Sequence, residues 1–551
     1  MNAKGEAGDQ PDEPNVFDDG GAFDDAGAFD DGDEPEASDS STAADQHEEG
    51  SAPASDHKHL RGSAALLMGR GVSLLITLAT QVVMVRGLSK EDFGSFAYAF
   101  ALAVAGRQIL SLGQGKMLSR FMAKYDEERD FARMFGSMAV TGVTIVLTSS
   151  LAFGALVVLS RQGAGSDSGL DYQILLVLFL LAPMEALDQV FVSLFAVFSK
   201  ARSIIFRKYL FTPLLRLGVV VAMVALNASI TFLAIGYVIT GLLGLFVYGQ
   251  LFLRELRKRE LLQELHPRRL IYPAREMISF SVPTLTTELV FLATNTVSVM
   301  ILASQAGVDA VANFRAVMPT ARLNQFVFVT FVTFFLPTVS RLFARNLHDR
   351  LRETYWHSAL VLAVFTFPII AMTGPFAEQT TVTLFGERYA DSAIIMALLS
   401  LGYYFNVSFG YNAFMLQVYG KLRFLTVVNL SAAAVSVGLT FALVQVAGAV
   451  GVAIATAVTL IGQNLANQVM LTRTIETPLI DRSVLRPYVL IVTALTALTA
   501  VALVVQPNFV VALVVSALVS LVLLRLSRKQ LQLVKTFPEI AKLGWAARLV
   551  T

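Results

Sequence analysis

The chain has 551 residues, of which 55% are hydrophobic, and its mean hydropathy of +0.61 indicates an integral membrane protein. It contains no cysteine, which excludes disulfides, thiolate metal sites and cysteine nucleophiles. The net charge of +1 conceals a split, because the acidic residues concentrate at the N-terminal end and leave the rest of the chain basic.

Residues 1–57 carry 18 Asp or Glu and a single Lys or Arg, Lys4. They repeat the hexad VFDDGG, AFDDAG, AFDDGD, which places phenylalanine at Phe17, Phe23 and Phe29. So much charge with so few apolar groups cannot bury a core, so the composition predicts a disordered acidic tail. The Phe-Asp-Asp repeats fit a solubilising segment, or alternatively a docking motif for a partner or for the protein's own basic face.

Apolar runs of about 20 residues, each long enough to cross a bilayer, follow the tail and predict fourteen membrane-spanning helices. They lie near 62–85, 93–115, 134–160, 172–198, 209–226, 230–253, 277–303, 310–336, 355–376, 391–416, 424–445, 448–471, 487–505 and 509–526. The expected fold is therefore an all-α integral membrane protein.

The loops between these spans differ sharply in positive charge. With the N-terminus inside, the loops assigned to the cytoplasm, including the 199–208 loop with Arg207, hold 31 Lys or Arg. The loops assigned outside hold four. These four are Arg86, Lys90, Arg161 and Arg388. Because cytoplasmic loops carry the excess of Lys and Arg, the counts predict that both termini are cytoplasmic.

A short internal repeat divides the spans into two halves. The segment SRFMAK at 119–124, after span two, matches SRLFAR at 340–345, after span eight. Two six-helix lobes with a site between them are typical of alternating-access transporters. The predicted parts are a disordered cytoplasmic tail (1–57), an N-terminal lobe (58–253), a basic cytoplasmic linker (254–276), a C-terminal lobe (277–471), and two extra helices with a cytoplasmic C-terminal tail (472–551).

Five segments in order resemble the polysaccharide-synthesis (Wzx-type) flippases. This family belongs to a superfamily that also contains lipid II flippases and multidrug extrusion antiporters. The segments are VRGLSKEDFGSFAYAFAL (85–102), SFSVPTLTTELVFLATNTVSVMILAS (279–304), FGERYADSAIIMALLSLGYYFN (385–406), VYGKLRFLTVVNLSAAAV (418–435) and AGAVGVAIATAVT (447–459). The chain departs from the family at Asn295, where many relatives carry Asp, and at Ala312, where relatives carry Gly.

The resemblance covers roughly residues 60–475 and implies fourteen helices, two lobes and alternating access. It also implies that the protein moves a polyprenyl-diphosphate-linked oligosaccharide from the cytoplasmic to the outer leaflet of a bacterial inner membrane. Its expected partners are that lipid-linked substrate and membrane lipids, with a polysaccharide polymerase or glycosyltransferases as candidate protein partners. We expect a monomer that binds no nucleic acid.

Five arginines lie within the predicted spans rather than in loops. They are Arg70, Arg107, Arg216, Arg315 and Arg322. A guanidinium that faces lipid is costly, whereas one that faces a water-filled cavity can bind phosphate oxygens bidentately. We therefore predict that these arginines bind the pyrophosphate of the substrate.

Three acidic residues within the spans offer an alternative role for the arginines. Glu185 and Asp188 are three residues apart, so they lie on one face of span four, and Glu288 lies in span seven. They could neutralise three of the five arginines, with Glu288 and Arg322 as the expected pair. Intramembrane acids also serve as proton or sodium coupling sites.

Nothing in the sequence indicates an enzyme. The six histidines lack metal-ligand spacing and there is no phosphate-cradling glycine loop, so we expect no catalytic residues, metal or cofactor. Three alternatives to an oligosaccharide flippase stay open: a cation-coupled multidrug antiporter, a lipid II flippase, and a membrane glycosyltransferase or polymerase. Excess cavity arginine opposes the export of cationic drugs. The longest loop, 254–276, is short for glycosyltransferase chemistry.

Overall fold

The computed structural model describes residues 53–111, 114–161, 172–198, 205–264, 266–279, 292, 296–476 and 478–531. Regular structure in these ranges is helical. Residues 1–52 of the predicted acidic tail and the predicted site residue Glu288 lie outside them.

In the first half of the chain, the described helices cover most of the first six predicted spans. They are α1 (Pro53–Gly87), α2 (Lys90–Leu110), α3 (Gln114–Glu127), α4 (Phe131–Arg161), α5 (Tyr172–Phe179), α6 (Leu181–Val197), a π-helical segment (Ile205–Phe211), α7 (Thr212–Ala225) and α8 (Ile230–Lys258). The start of α2 shows how local sequence sets a boundary. Ser89 Oγ accepts a hydrogen bond of 3.0 Å from the amide of Asp92, while Glu91 and Asp92 place negative charge in the first turn.

The second half of the chain repeats this arrangement of long helices. They are α9 (Ser298–Ala321), α10 (Leu323–Ala344), α11 (His348–Thr373), α12 (Ala377–Phe385), a 3-10 helix (Glu387–Ser392), α13 (Ala393–Ser408), α14 (Asn412–Val418), α15 (Leu422–Ile475), α16 (Arg482–Val505) and α17 (Phe509–Leu531).

Glycines with positive φ break two of these helices where the sequence predicts a turn between spans. Gly448, at φ +53°, lies inside the 54-residue helix α15, at the first residue of the predicted span 448–471, which follows the predicted span 424–445. A straight helix of that length would reach about 81 Å, far beyond a bilayer core of about 30 Å. Gly307, at φ +78°, breaks α9 in the same way. Glycine tolerates these left-handed conformations because it has no Cβ atom.

Ten described helices are long and apolar enough to cross a membrane, or eleven if the bent pair Ser298–Val332 and Phe335–Ala344 is one span. The all-helical, multi-pass class is confirmed. The predicted number of fourteen is not confirmed. Helix α15 counts once although it covers two predicted spans, and most of predicted span seven (277–303) lies outside the described residues. Helix α1, which covers predicted span one, is not among the helices counted.

One apolar cluster, which we call the shared core, contains residues from both halves of the chain. Phe96 of α2 and Tyr237 of α8 belong to it, together with Leu302 and Val311 of α9 and Tyr389 of the 3-10 helix. We call the end of the bundle that holds the α1–α2 turn and this 3-10 helix the closed end.

Two further apolar clusters each belong essentially to one half of the chain. The first contains Leu118, Phe195 and Tyr248, and the second contains Tyr355 and Tyr411. Among the described residues, the two halves therefore share one apolar core at the closed end. Elsewhere each half has its own core.

The basic segment 254–276 packs on the first half of the chain. Leu261 belongs to the same apolar cluster as Leu118 of α3, and the amide of Ile271 donates to the carbonyl of Ala132 at 3.3 Å. A Cβ atom on Gly136 of α4 would lie 1.8 Å from the Ile271 carbonyl oxygen. Glycine thus permits direct backbone contact between this segment and α4.

Candidate functional site: the intramembrane arginines

Two of the predicted arginines share one carboxylate in the first half of the chain. Arg216 Nη2 of α7 lies 2.7 Å from Glu185 Oε1 of α6, and Arg107 Nη1 of α2 lies 3.9 Å from Glu185 Oε2. The side chains of Arg107, Glu185 and Arg216 are 27%, 22% and 23% exposed, so none is sealed in the protein. One carboxylate cannot neutralise two guanidinium groups. The cluster therefore carries a surplus positive charge.

Small residues explain why α2 and α6 come close enough for this contact. A Cβ atom on Gly106 would lie 3.0 Å from the Cβ atom of Ala182. Arg107 follows Gly106 directly, and Glu185 lies three residues after Ala182, on the same helix face. Small residues at helix contacts in membranes allow the backbones to approach, and here that approach brings Arg107 to Glu185.

Aromatic rings hold the second arginine of the cluster in place. The guanidinium carbon of Arg216 lies 5.6 Å from the ring centroid of Phe100 and 5.2 Å from that of Tyr237. Cation–π attraction adds to the 2.7 Å contact with Glu185, so Arg216 is fixed from several sides. Arg107, at 3.9 Å, is held more loosely by the same carboxylate.

Arg207 is buried, although the charge pattern predicts that it lies in a loop. It was assigned to the cytoplasmic loop 199–208, but it lies in the π-helical segment and its side chain is only 5% exposed. Arg207 Nη1 donates to Asp188 Oδ2, and Arg207 Nε donates to the carbonyl of Gly244 at 3.1 Å. The apolar residues on both sides of it, in the run IIFRKYLF, were the signal that could have identified it as buried.

Helix α8 is shaped to receive this guanidinium. A Cβ atom on Gly244 would lie 2.3 Å from Arg207 Nη2, so a larger residue there would require the guanidinium to shift. One turn later, the ring centroid of Tyr248 lies 4.3 Å from the guanidinium carbon of Arg207. Asp188, Gly244 and Tyr248 together hold the guanidinium of Arg207 through an ion pair, a hydrogen bond and a ring contact. Asp188 was predicted to neutralise one of the five span arginines, but its partner in the structure is Arg207, which is not one of them.

Arg70 joins α1 to the π-helical segment. Its Nε donates to the hydroxyl of Tyr209 at 3.1 Å, and its guanidinium carbon lies 5.9 Å from the centre of that ring. Tyr209 lies two residues after Arg207, so the π-helical segment carries one of these arginines and contacts another. Single-turn π-helical distortions frequently mark functional sites.

The remaining two arginines lie in the second half of the chain. Arg322, between α9 and α10, donates from Nε to the hydroxyl of Tyr403 at 2.5 Å. The predicted pair of Arg322 with Glu288 cannot be placed, because Glu288 lies outside the described residues. Arg315 Nη1 contacts Met318 Sδ at 3.7 Å, and Arg322 repels the Arg315 guanidinium. Among the described atoms, the buried Arg315 Nε has no hydrogen-bond partner.

Within the part of the chain that the structure describes, the arginines thus form two groups. Arg107 and Arg216 meet at Glu185, with Arg70 and Arg207 on the neighbouring π-helical segment, whereas Arg315 and Arg322 interact in the second half. The role of the predicted residues in binding a substrate stays a prediction.

Two comparisons with known proteins agree with this architecture. A profile of the family described as "Polysaccharide biosynthesis protein" matches residues 59–343, which is more than half of the chain, and the protein belongs to that family. No curated protein matches the chain.

Solved structures of transporters share the fold. The lipid II flippase MurJ in an inward closed conformation is similar with a TM-score of 0.62 at 16% identity, over 86% of this chain and 99% of that one. An inward-facing multidrug resistance MATE family transporter of the MOP superfamily gives a TM-score of 0.58 at 14% identity, over 73% and 96%. A MATE protein in the straight conformation gives 0.51 at 18% identity, over 76% and 96%.

Proposed function

We propose that the protein flips a polyprenyl-diphosphate-linked oligosaccharide from the cytoplasmic to the outer leaflet of a bacterial inner membrane. The observation that carries this proposal is the surplus of positive charge at Glu185. Arg107 and Arg216 share this one carboxylate, and their side chains keep about a quarter of their surface exposed. A diphosphate supplies the negative charge and the bidentate acceptors that such arginines bind.

The geometry at Glu185 suggests how the site accepts a diphosphate. Arg216 is fixed by Glu185 at 2.7 Å and by two rings, whereas Arg107 is 3.9 Å from the same carboxylate. A phosphate oxygen can therefore attract Arg107 away from Glu185 while Arg216 stays neutralised. Arg107 would then bind the phosphate, and Arg216 would stay beside it in a fixed position with its charge balanced by Glu185.

The packing of the two halves supports alternating access. The two halves share one apolar core at the closed end and have separate cores elsewhere. This arrangement suits an inward-facing state if the closed end faces outward. The loop charges assign that end to the outside and both termini to the cytoplasm. The predicted boundaries of the two lobes (58–253 and 277–471) and of the linker (254–276) belong to this proposal.

Export of cationic drugs is the main competing function, because MATE transporters share the fold. The arginine surplus opposes it, since a positive site repels cations and concentrates anions. The two functions therefore differ in the charge of the ligand that the arginines should bind.

The experiment that tests the proposal is the flipping of lipid-linked oligosaccharide by Arg107 variants. Arg107→Lys keeps the charge but loses the planar fork, so transport should fall, and Arg107→Ala should reduce it further. The measurement is the amount of lipid-linked oligosaccharide retained on the cytoplasmic leaflet, at matched protein levels. Arg473→Ala, which removes an exposed arginine near the end of α15, is the control. Full transport by Arg107→Ala would overturn the assigned role of this arginine.

A further inference from the structure

Three of the four cations that the charge pattern assigns to the outside lie at the closed end, where the two halves meet. Arg86 ends α1, Lys90 begins α2, and Arg388 lies in the 3-10 helix of the second half. Arg161, at the end of α4, is the fourth. Cations are disfavoured in outside loops, so their concentration at one seam calls for a physical reason.

The reason is a reciprocal set of hydrogen bonds across the seam. Arg86 donates from Nε to the carbonyl of Leu384 at 2.9 Å and from Nη2 to that of Thr383 at 2.5 Å, at the end of α12. In the opposite direction, Arg388 Nη2 donates to the carbonyl of Val85, at the end of α1. The last carbonyls of a helix have no partner within the helix and carry partial negative charge. Each arginine therefore caps the end of a helix in the other half.

The backbone packing beside these arginines is tight. A Cβ atom on Gly94 of α2 would lie 2.1 Å from the carbonyl oxygen of Val308 and 3.3 Å from the Cβ atom of Ala312, both on α9. Lys90 Nζ lies 5.6 Å from the ring centroid of Tyr389, which is fully buried. The two halves are thus in direct contact at the seam, and any passage at this end requires them to separate.

We propose that Arg86 and Arg388 form an outer clamp that holds the two lobes together in the inward-facing state and releases when the protein opens outward. The two arginines would set the balance between the inward-facing and outward-facing states without contacting the substrate. This inference rests on the alternating access of the proposed function, but it does not depend on the identity of the substrate.

The chemistry of the clamp suits a contact that must break repeatedly. Arg86 and Arg388 are exposed, so water replaces the lost carbonyl contacts as the lobes part. Exchange with water keeps the net stabilisation of such bonds modest. No carboxylate takes part in the three contacts described above, so opening leaves no buried unpaired acid behind.

The absence of cysteine from the chain allows a direct test of the clamp. Ala312→Cys would place a single thiol on α9 at a position that is fully buried at the seam. In intact cells, a membrane-impermeant maleimide added outside would label this thiol only when the lobes separate at that end. We expect Arg86→Ala with Arg388→Ala to raise the labelling rate about tenfold, because the charge-assisted bonds across the seam are lost.

Arg161→Ala is the matched control, since it removes the fourth outside cation away from the seam, and its labelling should equal that of Ala312→Cys alone. Each single variant, Arg86→Ala and Arg388→Ala, should give a smaller increase and serves if the double variant fails to fold. Labelling that stays at the control rate in correctly inserted clamp variants would overturn the clamp.

The two proposals can fail separately. Labelling reports on the outer seam in the absence of substrate, whereas the Arg107 variants report on substrate transport. Faster labelling of the clamp variants, together with no oligosaccharide flipping by the unsubstituted protein, would support the clamp and refute the proposed substrate. Normal flipping with unchanged labelling would refute the clamp alone.

Discussion

Replacing Glu185 by glutamine should increase the affinity of the protein for pyrophosphate. In the structure Glu185 lies 2.7 Å from Arg216 and 3.9 Å from Arg107, so a bound phosphate must compete with this carboxylate. The amide oxygen of glutamine still accepts the hydrogen bond of Arg216, but the negative charge is gone. Arg107 then has no fixed anion to leave.

The size of the effect follows from the two distances. With an effective dielectric constant of about 20, the attraction of Arg107 to Glu185 at 3.9 Å is about 4 kcal/mol, and that of Arg216 at 2.7 Å is about 6 kcal/mol. Hydration of the separated groups offsets most of this, and a partly exposed ion pair contributes about 1 kcal/mol net. Because about 1.4 kcal/mol corresponds to a factor of ten, release of Arg107 should tighten pyrophosphate binding about fivefold.

The assay is calorimetric titration of the purified protein with inorganic pyrophosphate. Arg107→Ala should weaken binding, and adding it to Glu185→Gln should cancel the gain, because both changes act through the same guanidinium. Glu255→Gln is the matched control, since Glu255 also pairs with an arginine, Arg259 at 3.1 Å, near the end of α8. Unchanged or weaker binding in a correctly folded Glu185→Gln protein would refute phosphate binding by this cluster and leave it a structural ion pair.

Three further predictions concern topology, the acidic tail and the buried ion pair. Reporter fusions in the 161–171 loop should read outside and those in 254–276 inside, and identical sidedness would contradict the span order. Deletion of residues 2–56 should leave membrane insertion intact by protease and fractionation assays, whereas an unstable product would show that the tail packs on the helices. Arg207→Ala should destabilise the protein by about 3–5 kcal/mol in thermal unfolding, because it leaves the charge of Asp188 unpaired. Adding Asp188→Asn to this variant should recover part of the lost stability. No recovery would mean that Asp188 is not left with an unpaired charge.

The class of the fold could be predicted from the sequence because a bilayer imposes strong constraints. A span needs about 20 apolar residues, and backbone groups within lipid must be satisfied inside helices. The pattern of apolar runs therefore predicts the helices well, and even the break at Gly448 falls at the boundary of a predicted span. The exact ends of the helices depend on capping and packing, which periodicity does not contain.

Which arginine pairs with which acid in the site was harder to predict from the sequence. The sequence shows that Glu185 and Asp188 share a helix face, so a charge-pairing role could be considered from spacing alone. Which arginine reaches which acid depends on how closely the helices approach. That approach depends on small residues, such as Gly106 at α2 and Gly244 at α8, whose partners lie far away in the chain.

Cations in costly positions separate into two kinds once their partners are known. Arg207 is nearly buried and has its own carboxylate, a carbonyl and an aromatic ring, so its charge is balanced permanently. Arg107 shares a carboxylate with a better-placed arginine, and the described contacts of Arg86 are to carbonyls of the other half. A charge that is fully satisfied within one lobe stabilises that lobe, whereas a charge with an incomplete or exchangeable partner can respond to a ligand or to a movement. Arg107 and Arg86 are therefore the positions at which transport should be most sensitive to substitution, and Arg207 is the position at which stability should be.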